Sequence, residues 1–402
     1  MRVFDPLAEG PLDGIRVLDL TRLIAGNMLT LQLADFGADV VKVEPVGKGD
    51  PLRAWTDAGV ETFWKVYCRN KRSIAIDFRS KGAADIILKL SEKADILIEN
   101  FRPGRLESMG LGPERLQKRN PRLVVVRISG FGQTGPYREK PGFGTLVEAM
   151  SGFASRNGFP DRDPLLPPLA LADMIAGLQG AYATMVALRE VETKGEGGQV
   201  VDLSLYEPVL STLGPEALAY QVTGKVKERS GNRSNTSAPR DVYRTRDGKH
   251  VALSASIQVM AERVFRLIGR ADMIDDPRYR TNADRVRHRD EVNDIVAAWV
   301  AERTRDEVLR VFDDGGVTAS PVYDICDVIT DPHVAEREVL VDLADDDLGS
   351  ATHHNILPRL SRTPGAFRRP APKLGEHTDE LLGECGFDKD TIQNMKTKGL
   401  IG

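Results

Sequence analysis

The first half of the chain contains no histidine. All six histidines of the 402-residue sequence (His250, His288, His333, His353, His354 and His377) follow residue 249. No Ser-His-Asp triad and no His-ligated metal can be assembled from the preceding part alone, so chemistry located there must use carboxylates, amides or hydroxyls. Cysteine is almost as scarce. Cys68, Cys326 and Cys385 stand far apart with no CxxC pair, which excludes a disulfide framework and a cysteine zinc site and fits a reducing compartment. Neither a metal nor a prosthetic group is expected. The opening "MRVFDPLAEG" lacks a basic segment followed by an apolar one, so no secretory leader is read there, and a cytoplasmic location is expected. No uninterrupted apolar run of about 18 residues marks a membrane span. Nor is there an excess of one charge: 55 basic against 59 acidic side chains give −4, which points to neither nucleic acid nor membrane as a partner. A GxGxxG fingerprint is missing too, which argues against an NAD-dependent oxidoreductase.

What is present is ordinary for a globular chain, with 41% apolar and 28% charged residues. The length suffices for two or three domains with a buried core. "IRVLDL" (15–20) reads as a strand, "TRLIAGN" as a loop, "MLTLQLADFG" (28–37) as a helix and "ADVVKVE" (38–44) as a second strand. The pattern recurs in "RSIAIDF" (72–78), "KGAADIILKLSEKA" (81–94), "DILIEN" (95–100) and "LVVVRISGFG" (123–132). Nearly continuous apolar strands alternating with helices predict an α/β fold with a parallel, Rossmann-like sheet covered on both faces. The expected organisation is a large domain over 1–215, a polar linker over 216–235, a smaller α+β domain over 236–330, and a C-terminal segment, 331–402, returning to the large domain. The small domain should open with a hairpin turning at Asp247-Gly248.

Three places stand out as chemistry. In "LPPLALADMIAGLQGAYATMVALRE" (166–190) Asp173 is a lone carboxylate among apolar residues; Gly177, Gln179 and Gly180 also interrupt the run. It reads as a helix N-cap or as a nucleophile, and the two roles are compatible, since capping amides favour the ionised form that a nucleophile needs. The first βα turn, with Ala25-Gly26 entering a helix, reads either as a tight turn or as an anion site at a helix start. "YCRNKRSIAIDFRSK" (67–81) gathers Arg69, Lys71, Arg72, Arg79 and Lys81, and "ENFRPGRL" (99–106) adds Asn100, Phe101, Arg102 and Arg105. A solvated basic face is the commoner meaning of such clusters. Taken together they also describe a pocket for a phosphorylated, nucleotide-like ligand.

The ordered motifs "DGIRVLDLTRLIAGNMLTLQLADFGADVVKVEPVGKGD", "NKRSIAIDF", "ADILIENFRPG", "ISGFGQTGPYREKPGF", "LALADMIAG" and "GGQVVDLSLYE" resemble those of the class III CoA-transferases, the CaiB/BaiF family that includes formyl-CoA transferase. The resemblance covers essentially the whole chain. It implies an interlocked homodimer of ring-like subunits, coenzyme A and acyl-CoA as substrate rather than cofactor, and transfer of CoA from an acyl-CoA donor to a carboxylic acid acceptor, a dicarboxylate being suggested by the many arginines. The family's catalytic aspartate falls on Asp173, and its CoA contacts fall on Leu23, Ile24, Ala25, Ile76, Arg79, Asn100 and Phe101. Arg72, Arg102, Arg105 and Phe143 complete the expected binding set. Amides of Gly130–Gly135 and Gly142–Gly144 are candidates for oxyanion donors. The chain departs from the family at Pro45 and Ser108, where basic residues are common, with Lys48 or Arg53 and Arg105 as substitutes. The glycine-rich loop of formyl-CoA:oxalate transferases has no counterpart in "SASIQ" (254–258). Two rivals remain: a 2-methylacyl-CoA racemase of the same superfamily, which needs a histidine where Phe143 stands, and a non-catalytic CoA-binding protein in which Asp173 is only a cap.

Overall fold

A computed structural model of the protein describes residues 1–402. Two compact units are formed. One comprises Met1–Phe153, Leu166–Pro215 and Glu338–Gly402, and the other comprises Ala154–Leu165 and Glu216–Arg337.

The first unit is built on six strands: β1 (Arg16–Asp19), β2 (Asp39–Glu44), β3 (Lys71–Ala75), β4 (Ile96–Glu99), β5 (Val124–Ser129) and β6 (Val200–Ser204). They pair in the order β3-β2-β1-β4-β5-β6, every pair parallel. Alternate side chains leave a strand on opposite faces. Leu18, Val41, Ile74, Leu97 and Val125 therefore meet the helix Ala83–Ser91 on one face, together with Leu381, Leu382 and Ile392 from the chain's last helices. Val17, Val40, Ile96, Ile98, Val124 and Val126 face the other way, onto α1 (Leu23–Asp35) and the long helix Leu171–Lys194. Both faces are covered, which is why these strands carry unbroken apolar runs. Each aliphatic side chain sealed this way contributes roughly 1.5–3 kcal/mol. Val17 lies opposite Val40 of β2 on one side and Ile96 of β4 on the other. The strand order reverses between β1 and β4, and the loops leaving their carboxyl ends flank a crevice, the usual ligand position of an open α/β sheet.

The loop expected over "TRLIAGN" is mostly helix, because α1 starts at Leu23. Its start is set from a distance: Asp50 accepts the Leu23 N–H at 2.9 Å, while the preceding Arg22 makes no side-chain cap. A cap supplied 27 residues downstream leaves no local signature.

The long helix runs 24 residues, straight through Gly177 and Gly180. These glycines are contact points. A Cβ at Gly177 would stand 2.8 Å from the Met28 side chain and 2.9 Å from the Ala25 carbonyl oxygen. One at Gly180 would meet Leu29 and Leu203 at 2.5 and 2.7 Å. By length and composition this helix alone passes for a membrane span. Its Ala172, Ala176, Ala187 and Leu188 are nevertheless buried in the unit's core.

In the second unit the strands Arg240–Arg244, His250–Ser254 and Ala319–Pro321 form an antiparallel sheet, with Gly248 at φ +77 turning the first hairpin. Val264, Phe265, Val296, Val308 and Phe312 supply its core. The stretch read as a linker begins instead with the helix Glu216–Thr223. That helix buries none of its residues within the unit, and its Leu218, Tyr220 and Val222 are exposed.

Gly177→Ala is predicted to destabilise the protein by about 1–3 kcal/mol, because the Ala25 backbone cannot yield. This outweighs the ~1 kcal/mol that helix propensity returns. Calorimetry checks it: a lower Tm is expected, and an unchanged or higher one contradicts the close-contact account.

Candidate active site

Asp173 is the third residue of the long helix, whose N-cap position is Ala170. The cap comes from elsewhere. Glu148, buried on the helix Gly144–Met150, accepts the N–H of Ala172 through Oε1 at 2.9 Å. The N-cap reading of Asp173 is thus corrected: the N-cap position is Ala170, and Glu148 takes the Ala172 amide.

The Asp173 carboxylate lies where three chain segments meet. Its Oδ2 is so close to Gly144 that a Cβ there would stand 2.5 Å from it. The backbone N–H of Ala25, in the first turn of α1, lies near it and favours its ionised form. Burial, and after it the like charge of Glu148, push the acid up to about 6; the Ala25 amide and its own amide only partly oppose this. Amides were expected to favour the ionised form overall, but desolvation outweighs them. Such a carboxylate is ionised at neutral pH yet poorly hydrated, and more basic than a surface aspartate.

A buried polar network fixes the first turn. Leu23 sits at φ +63, a conformation leucine seldom adopts. It is held by its N–H bond to Asp50 and by the Asn27 side chain, which donates to the Leu23 carbonyl at 2.6 Å and to Asp50 at 2.9 Å. Beneath them Lys42 binds Asp19 at 3.2 Å, Asp50 at 3.1 Å and the Thr21 carbonyl at 2.6 Å. Burial works against the charge of Asp19, but Lys42 and Lys71 hold it at about 2. Burial likewise pushes the Cys68 thiol up to about 12, so Cys68 is no nucleophile.

The expected ligand contacts divide clearly. Asn100 ties the loops after β1 and β4 together, accepting from the Arg22 N–H at 2.9 Å and donating to its carbonyl at 2.8 Å. Phe101 packs edge-on against Phe78 and lies under the Arg22 guanidinium, 5.7 Å from the ring centre. Arg79, Arg102 and Arg105 are exposed. Ile24, Ala25 and Ile76 are buried, so they can offer a ligand only main-chain groups. Phe143 is 61% exposed, immediately before the helix that carries Glu148.

Arg72 leaves this set. It sits near the amino-terminal end of β3 and is bound by Asp39, Glu380 and Glu384. Arg69 is buried against Asp35, and Lys71 donates to Asn27. The basic strand is therefore largely internal, with only Arg79 and Lys81 at the surface. Arg53 is likewise spent on Glu44 and stacks on Trp64 at 3.7 Å, whereas Lys48 is exposed. Among the oxyanion candidates, the Gly132 and Gln133 amides are taken by Ser129 and Asp202. The 142–144 turn remains beside Asp173. A cavity of about 1060 Å³ elsewhere in this unit is lined by Lys48, Trp64, Lys65 and His353 among others, and by neither Asp173 nor Asn100.

Sequence reasoning missed Glu148, Asp50 and Lys42. Glu148 carried the signal that had singled out Asp173, an isolated acid in the apolar run "TLVEAM". Asp50 and Lys42 carried none, because their partners are distant in the chain.

The model for CoA-transferase family III matches residues 12–378. The succinyl-CoA–D-citramalate CoA-transferase of Chloroflexus aurantiacus is 40% identical, covering 97% of this chain and 98% of the relative. The succinate–glutarate CoA-transferase of Agrobacterium fabrum is 35% identical, with 98% and 99% covered. A CaiB/BaiF family protein from Brucella suis has a fold matching at a TM-score of 0.83 with 31% identity, covering 94% of this chain and all of that one. A hypothetical protein from Mycobacterium tuberculosis matches at 0.82 with 29% identity, covering 94% and 99%. The chain belongs to CoA-transferase family III, and it is an enzyme that moves CoA between an acyl thioester and a carboxylic acid.

A carboxylate whose pKa rises on folding costs stability wherever it must ionise. Here that cost is fully present above about pH 6, fades as pH falls through the range between 6 and 3.8, and is gone below 3.8, where folded and unfolded forms are both protonated. Asp173→Asn is therefore expected to raise unfolding free energy by on the order of 2 kcal/mol at pH 8, a gain that vanishes near pH 4. Denaturant titrations at the two pH values check it; equal stability at pH 8 contradicts the strained-carboxylate account.

Proposed function

We propose that the protein transfers CoA from succinyl-CoA to a four- or five-carbon dicarboxylic acid, with Asp173 as the nucleophile. The observation that carries this is a poorly hydrated carboxylate between the Ala25 amide and the Gly144 turn. The relatives add the substrate class: those named above act on citramalate and on glutarate, and a 40% identical Chloroflexus aurantiacus subunit belongs to a succinyl-CoA–L-malate CoA-transferase. All of these acceptors are dicarboxylic acids.

The chemistry needs no general base. The Asp173 carboxylate attacks the succinyl thioester, the C–S bond breaks, and a mixed anhydride and CoA thiolate result. The thiolate attacks the aspartyl carbonyl, releasing succinate and forming an aspartyl-CoA thioester. The acceptor carboxylate then displaces the thiolate to give a second anhydride. Thiolate attack on the acceptor's carbonyl completes the new thioester and frees Asp173. Every nucleophile is already an anion, which suits a site without histidine. Main-chain donors of the 142–144 turn are assigned to the tetrahedral oxyanions. Asn100 and Phe101, with Arg79, Arg102 and Arg105 around the crevice, are assigned to the CoA moiety. Phe143 supports transfer over racemisation, since phenylalanine cannot carry the second proton that racemisation requires.

The active form is proposed to be a cytoplasmic homodimer. Leu178, Tyr182 and Val186 form an exposed apolar row, four residues apart, on the outer face of the long helix. Such a row favours burial against a second copy. Tyr182→Glu is expected to shift the protein toward monomer in sedimentation velocity, and an unaltered dimer, or a parent protein that is already monomeric, contradicts that assignment.

For the reaction, mass spectrometry of mixtures with succinyl-CoA should show malyl-, citramalyl- or glutaryl-CoA forming one-for-one with succinate. Exclusive use of monocarboxylates contradicts the dicarboxylate assignment.

A further inference from the structure

Two carboxylates meet at this site, and the proposed reaction uses one of them. Glu148 is 3% exposed, its Oε1 engaged by the Ala172 amide at 2.9 Å. Its helix also presents Gly144, four residues earlier and so on the same side, to the Asp173 Oδ2. Around Asp173 the charges are one-sided. The helix Gly144–Met150 contributes the Glu148 carboxylate, α1 contributes the Ala25 amide, and the long helix contributes the amide of Asp173 itself. No cation enters this set.

We propose that Glu148 is a positioning residue for Asp173: one of its oxygens seats the first turn of the nucleophile's helix, and its charge opposes the ionised Asp173 until acylation removes that repulsion. The inference rests on the nucleophile reading and deepens it. In the first step an Asp173 oxygen bonds to the donor's carbonyl carbon, the C–S bond breaks, and the electron pair leaves on sulfur. No proton moves. Negative charge passes from the position next to Glu148 to the departing thiolate, so the like-charge pair exists only before acylation. A buried pair without a counter-ion also resists double ionisation, so Asp173 loses its proton at higher pH than an isolated aspartate.

The test is single-turnover acylation of Asp173 by succinyl-CoA across pH 4–9, read by quenched peptide mass in the full-length enzyme. The parent protein is expected to show an acid limb near pH 6. Glu148→Gln keeps an acceptor oxygen for the Ala172 N–H and removes the charge; its limb should move down by about one pH unit. Glu148→Asp keeps the charge but withdraws the acceptor; its limb should stay while the plateau rate falls about tenfold or more. An unshifted limb in Glu148→Gln overturns the proposal. Should that variant not fold, a parent limb near pH 4 overturns it equally. No acyl adduct on the parent at any pH defeats the nucleophile reading itself, a result distinct from either.

Discussion

The structure depends on a division of labour between two carboxylates at the start of the long helix. A helix start presents unpaired amides that must be satisfied, and an aspartate there ordinarily spends itself on them. Here Glu148 reaches over from a neighbouring helix and takes the Ala172 amide. Asp173 is left desolvated and beside a like charge. The nucleophilicity proposed for this position is a consequence of packing. It needs the close crossing of α1 and the long helix at Gly177, which brings the Ala25 amide to the carboxylate, and the bare Cα of Gly144 on its other side.

The same logic explains the buried ions under the first turn. Lys42, Asp19 and Asp50 are sealed from solvent in a polar cluster at the sheet's carboxyl edge. Buried ion networks add little net stability compared with a well-packed apolar core. Their effect is geometric. Asp50 holds Leu23 in a left-handed conformation and so fixes the start of α1, whose Ala25 amide lies near the Asp173 carboxylate. Local strain is kept in place by a network too stiff to release it.

Much of this was legible from the residues. The parallel sheet followed from unbroken β-branched runs, and the crevice followed from the rule that ligands bind at carboxyl ends of strands. Asp173 stood out because a lone acid in an apolar segment has to be explained. The failures share one cause. Arg72 read as a free cation because Asp39, close to it in space, lies 33 residues away and Glu384 lies 312 away. The cap was assigned to Asp173 because the true acceptor belongs to another helix. The loop over "TRLIAGN" is helix because Asp50 supplies a cap that no local window contains. Periodicity and neighbouring residues carry local structure; long-range ion pairs determine which charged side chains remain available to a ligand.

The central claim is that Asp173 becomes covalently acylated during turnover. Rapid mixing with radiolabelled succinyl-CoA, followed by acid quench and peptide mapping, measures it directly. The account predicts label on the peptide containing Asp173, released by hydroxylamine and absent from Asp173→Asn. Label-free peptide together with normal CoA transfer by the asparagine variant would contradict it.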